Sequence, residues 1–261
     1  QGRGAYIFSQ IAMCGEGCVE TDRALALQIA RRALEVLDDK ARDESKGGYL
    51  VALPDKQQPQ PDFDSIGYAT GFAAEGYLGL YAATRDAQYG ERAHRLGMEF
   101  VERRFRGGQP PGVEGYLPDP TPPEPPRTLG HSMISLLLGT QLLRECASCL
   151  SPEQLAAWKE VTDDALHYLT HSHVDKDVGP ALYEGVGLCA EVRCGDDRQP
   201  LSQDDPNRRF YYLGHAIEAL WFVMSEATQR TDTALFWRAA ELVRSHATAA
   251  WDEVFGGVMR R

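Results

Sequence analysis

Residues 65–84, SIGYATGFAAEGYLGLYAAT, and residues 87–105, AQYGERAHRLGMEFVERRF, decide the reading of the fold. The first stretch is rich in glycine and alanine and nearly free of charge, as suits a helix buried on two sides. The second carries Arg92, Arg95, Glu99, Glu102 and Arg103 among its apolar positions, as suits a helix with one face in water. An inner helix is thus followed by an outer one.

The same contrast recurs on either side of these stretches. Residues 3–14 and 21–42 form an earlier pair, with Leu25, Ile29, Ala33, Val36 and Leu37 on one face of the second member. Residues 129–147 and 151–171 form a later pair, and residues 213–228 and 231–251 the last. Ser151-Pro152-Glu153 is a strong helix start, with an N-cap serine, a first-turn proline and an acid near the positive end of the dipole. Thr231-Asp232 opens the final helix.

Each pair is expected to be followed by a glycine turn and a short apolar strand. The four segments are 46–50, 113–117, 179–183 and 255–259, spaced roughly 60–75 residues apart. The chain reads helix, helix, strand, four times over. That pattern predicts an all-α toroid of about four hairpins in a single domain over residues 1–261. The strands should be short connections, with no central sheet.

Composition narrows the function. The 261 residues carry a formal net charge of -11. An acidic surface without a basic stripe repels phosphate backbones, which argues against a nucleic-acid partner. No apolar run approaches the roughly 18–20 residues of a membrane span. Gln1 falls directly before a helical pattern, so the natural N-terminus is expected to lie upstream. The six cysteines fall into loose pairs, Cys14/Cys18, Cys146/Cys149 and Cys189/Cys194. The last two have spacing compatible with a thiolate zinc site, but Cys146 falls where a helix should still run. Free thiols in a reducing, cytoplasmic compartment are the expectation.

In a toroid of this kind the ligand site is expected at the starts of the inner helices, which should carry polar groups without structural duty. The first opens with Gly2-Arg3-Gly4-Ala5-Tyr6, the third with Gly130-His131-Ser132-Met133 and the fourth with Gly214-His215-Ala216-Ile217-Glu218. His215 and Glu218, three apart, share one helix face. A carboxylate beside an imidazole can raise its basicity and fix its tautomer. The same pair would also suit a helix-start histidine bonded to backbone, with Glu218 in a salt bridge.

The run Gly214-His215-x-x-Glu218-Ala219-x-Trp221-Phe222 resembles the signature of the N-acylglucosamine 2-epimerase/cellobiose 2-epimerase family. Gln1-Gly2-Arg3 with Tyr6, Gly47-Gly48-Tyr49, Leu182-Tyr183-Glu184, and Trp251-Asp252-Glu253 before Gly256-Gly257 resemble further family segments, in order along the chain. The resemblance implies an (α/α)6 barrel of six hairpins, of which this chain supplies the second to ninth helices, lacking the first helix and the last three. It implies epimerisation or aldose–ketose isomerisation at C2 of a mono- or disaccharide aldose, through an enediolate. No phosphate-cradling glycine loop is present in the sequence, so neither a cofactor nor a metal is expected. His215 and His131 would act in proton transfer, Arg3 would steady the oxyanion, and Glu218 would orient His215. Glu184, Tyr6 and Trp221 would contact sugar. His131 resembles a histidine of the cellobiose epimerase and aldose–ketose isomerase branches, but Ile134-Ser135 stand where those branches have Glu-Ala. The family's second catalytic histidine has no counterpart here. A homodimer is compatible with this reading.

Other features have plainer explanations. His171-x-His173 has metal-ligand spacing but no obvious third ligand. Asp196, Asp197, Asp204 and Asp205 read as a solvated loop, or as a lid over the sugar with Arg208 and Arg209. The alternatives to an epimerase are a glycoside hydrolase on the same toroid, using Glu184 with Glu218, and a non-catalytic sugar- or protein-binding relic.

Overall fold

The computed structural model describes residues 1–14, 22–43, 45–52, 62–64, 67–107, 126–205 and 207–257. Among them are eight α-helices: α1 (Gly2–Met13), α2 (Arg23–Val36), α3 (Tyr68–Thr84), α4 (Ala87–Phe100), α5 (Leu129–Glu145), α6 (Pro152–His167), α7 (Leu213–Arg230) and α8 (Thr233–Ala250). The short strands are β1 (Arg42–Asp43), β2 (Gly48–Ala52), β3 (Asp62–Phe63), β4 (Pro126–Thr128), β5 (Val174–Asp175), β6 (Leu188–Cys189) and β7 (Val192–Cys194). They form a three-stranded antiparallel sheet, β1-β2-β3, and two antiparallel pairs, β4–β7 and β5–β6. The fold is all-α with strands at the connections, as the helix-helix-strand reading predicts.

The helices begin where local chemistry starts them. Asp22, Asp86 and Asp232 accept from the N–H groups of Ala24, Gln88 and Leu235, so each caps its helix. At α6, Ser151 Oγ accepts from Gln154 N while Gln154 Oε1 accepts from Ser151 N, a reciprocal capping box. The outer helices α2, α4 and α6 each loosen into a π-helical turn, at Leu37–Ala41, Val101–Arg106 and Tyr168–Ser172. The helices expected over 21–42, 87–105 and 151–171 therefore change winding near their ends.

The chain groups into two compact units: Gln1–Arg104 with Leu138–Glu160, and Phe105–Leu137 with Val161–Arg261. In the first, α3 packs against α1 and α4, and α1 against α2. Thirteen consecutive-to-nearly-consecutive positions of α3, from Thr70 to Ala83, are buried, so it is the inner helix its composition predicts. Close approach explains its glycines: a Cβ at Gly76 would lie 2.9 Å from Gly2 O and from Leu34 Cδ2. Trp158, fully buried, donates from Nε1 to His94 Nδ1 at 3.0 Å. In the second unit α7 packs on α8.

Three expectations need correction. Residues 179–183 are not a strand: Pro180 leads into a 3₁₀ turn, Ala181–Tyr183, and a proline offers no N–H to a ladder. Phe255-Gly256-Gly257 lies in a turn closed by Asp252, while Val258 and Met259, like residues 113–117, lie outside the described residues. Cys146 and Cys149 are joined as a disulfide instead of standing as free thiols. Helix α5 stops at Glu145, and the 3₁₀ turn Ala147–Cys149 brings the two Cα atoms to 5.6 Å. Both sulfurs rest on Gly90, where a Cβ would approach them to 2.6–2.7 Å.

Candidate active site at the helix starts

His215 stands in the first turn of α7, with its side chain mostly enclosed. Its Nδ1 lies 3.1 Å from both carboxylate oxygens of Glu191, a side chain with 0% exposure. Tyr212 flanks the imidazole, with ring centroids 5.4 Å apart. The carboxylate on His215 Nδ1 is therefore Glu191. Glu218 lies half-buried one turn along α7.

Glu191 sits between β6 and β7, and this segment is clamped from several sides. Cys189 N donates to His246 Nε2 (2.8 Å), whose Nδ1 donates to Leu242 O (2.7 Å), so α8 holds the start of the segment. Ala190 N donates to His173 O (2.8 Å), and His173 Nδ1 donates to Ala190 O (2.8 Å). Arg193, almost fully buried, donates to Ser172 O and His173 O and pairs with Asp175 at 2.7 Å. Asp175 also accepts from Tyr211 Oη at 2.7 Å. Burial, together with the charges of Arg198 and Arg193, pushes His173 down to about 3, so this imidazole is neutral and structural. The His171-x-His173 pair is thus split, with His171 in the last π-helical turn and His173 enclosed against Ala190.

His131, in the first turn of α5, is buried beside Ser132 and Ser135. Trp221 is 61% exposed while the next residue, Phe222, is buried, so Trp221 is a surface ring and not core packing. Glu184 follows the 3₁₀ turn and is exposed. The acidic loop is partly tied down: Asp196 pairs with buried Arg127, and Asp205 accepts from Asn207 N. Asp175, Lys176, Gln203, Arg208, Arg209 and Tyr211 line a cavity of about 570 Å³ in this unit.

Arg3 and Tyr6 belong to the first unit. The Arg3 guanidinium sits 4.2 Å above the Phe72 ring. Tyr6 Oη accepts from Gln141 Nε2 at 3.4 Å, and burial followed by the Glu75 charge raises its phenol pKa. A larger cavity of this unit, about 910 Å³, is lined by residues of α4 such as Tyr89, Arg92 and His94, and contains none of the nominated site residues.

Sequence reasoning missed Glu191 and His246. Neither stands at helix spacing from a motif residue, and only a pairing between distant segments reveals them.

No protein-family model and no curated protein matches the chain. Solved structures do. A D-mannose isomerase superposes with a TM-score of 0.61 at 14% identity, covering 98% of this chain and 61% of its own. The GH76 α-mannanase of Bacteroides thetaiotaomicron gives 0.61 at 15%, covering 98% and 62%. The cellobiose 2-epimerase of Spirochaeta thermophila gives 0.57 at 15%, covering 98% and 60%. The chain spans about three-fifths of the length of these structures, and its fold is that of the (α/α)6 toroid they share.

Proposed function

We propose that this chain is the larger part of a sugar epimerase or isomerase of the N-acylglucosamine 2-epimerase/cellobiose 2-epimerase kind. It acts at C2 of an aldose by histidine-mediated proton transfer. The observation that carries the reading is His215, at the start of α7 with a buried carboxylate on its Nδ1. This arrangement suits a base that removes a proton made acidic by the neighbouring aldehyde of an opened sugar. In this reading His131 takes part in the proton transfers and Arg3 steadies the enediolate oxygen. Glu184, Glu218, Tyr6 and Trp221 contact the sugar. The ligand is a mono- or disaccharide.

A hydrolase is the less favoured reading, because it needs two carboxylates facing a glycosidic bond, and the buried carboxylate here is turned onto an imidazole. The test is turnover of mannose, cellobiose and N-acetylmannosamine by the full-length protein in deuterated water, following deuterium at C2. His215→Asn should lower turnover by about 10²–10⁴-fold. Undiminished exchange in that variant refutes the role of His215. Mannan hydrolysis without C2 exchange refutes the epimerase reading.

A further inference from the structure

We propose that Glu191 is the positioning residue of this site: it holds the tautomer and direction of His215 and ties the start of α5 to the start of α7. The inference rests on the proposed reading of His215 as the base. The tie is made by the backbone. Glu191 N donates to Phe210 O at 3.0 Å, and Glu191 O accepts from Leu129 N at 2.8 Å. Leu129 is the first residue of α5, two before His131, and Phe210 lies three before Leu213, the first residue of α7. The two polar backbone groups of one residue therefore fix the chain at the first residue of one histidine-bearing helix and three residues before the other.

The side chain then does the chemistry of positioning. An ionised carboxylate only accepts hydrogen bonds. Its contact with Nδ1 at 3.1 Å therefore places the proton of the neutral ring on Nδ1 and leaves the lone pair on Nε2. That is the form able to take a proton from carbon. When Nε2 takes the C2 proton, the C–H electron pair stays on the substrate as the enediolate. The ring becomes an imidazolium with Nδ1–H still on Glu191. The carboxylate balances the new charge in a region of low dielectric, where water cannot do so well.

A fully buried carboxylate is costly unless partnered and bonded, and the segment around Glu191 is built to keep it in place. His246 holds Cys189, His173 holds Ala190, and Arg193 is anchored on Asp175. The carboxylate is thus presented from a fixed strand connection and not from a mobile loop, as a positioning group requires.

The test reads the tautomer directly. Nitrogen-15 NMR of the histidine-labelled chain resolves seven histidines, and His215→Asn identifies the His215 signals by their loss. At pH 8 the wild type should show His215 as the Nδ1–H form. Glu191→Gln, whose amide can donate as well as accept, should shift His215 toward the Nε2–H form or a mixture. In the full-length protein the same variant should lower kcat by about 10–100-fold with KM little changed. Glu191→Asp, which keeps the charge, should recover part of the loss. A wild-type His215 in the Nε2–H form overturns the proposal, whatever the variants do. So does a Glu191→Gln variant with unchanged tautomer. A wild type that shows the Nδ1–H form but turns over no sugar refutes the proposed reaction while leaving the Glu191–His215 contact established.

Discussion

His173 allows a quantitative test of the framework behind the site. Its side chain is fully buried, with Nδ1 donating to Ala190 O, and its pKa falls from 6.5 to about 3. The folded protein therefore keeps this ring neutral through mild acid, while the unfolded chain protonates it near 6.5. Between those two values the unfolded state binds more protons. The stability is complete above about pH 6.5 and declines as pH falls toward 3. One proton of linkage is worth about 1.4 kcal/mol per pH unit. Going from pH 7.5 to pH 5 should thus remove about 2 kcal/mol through His173 alone. His94, His171 and His246 are also shifted down, chiefly by burial, and act in the same direction. His173→Asn keeps an N–H for Ala190 O and removes the titration. Urea unfolding between pH 8 and 5 should show the wild type losing about 2 kcal/mol more than His173→Asn. Equal losses in the two proteins would refute the assignment of a buried, neutral His173.

Two further substitutions probe the first unit. Gly2→Ala would place a Cβ 2.2 Å from the Phe72 carbonyl oxygen, forcing α1 away from α3; a loss of about 1–3 kcal/mol is expected in urea unfolding, and an unchanged midpoint would contradict this packing. Asp38 accepts from Tyr49 Oη at 2.8 Å and Tyr77 Oη at 2.7 Å and pairs with Arg92 at 2.9 Å. Asp38→Asn should cost about 1–3 kcal/mol, and a double-mutant cycle with Arg92→Gln should show coupling; additive losses would mean that the pair contributes nothing.

The helical layout was legible because its signals are local. The single charge of residues 65–84 and the five charged residues named in 87–105 report burial directly, and α3 and α4 have those characters. Ser151 could be read as a cap because capping joins groups two or three residues apart. The π-helical endings were not legible, since a helix-forming sequence does not declare whether its last bonds skip four residues or five. Residues 179–183 carry the same glycine-then-apolar signal as 46–50. Only the second run finds a partner, when β2 pairs with β1 and β3. A strand is a relation between segments, and the sequence of one segment does not contain its partner.

The site divides along the same line. The sequence determined that His131 and His215 each stand at the start of a helix, because glycine, imidazole and the apolar period sit side by side. It offered Glu218 as the companion of His215, since three residues along a helix is a distance that sequence alone can measure. The tertiary structure brings Glu191 to His215 Nδ1, 24 positions away in the chain, by pairing β7 with β4 and bonding Glu191 to Phe210 and Leu129. Backbone hydrogen bonds between distant segments have no side-chain code, so the carboxylate they deliver becomes visible only once the chain has folded.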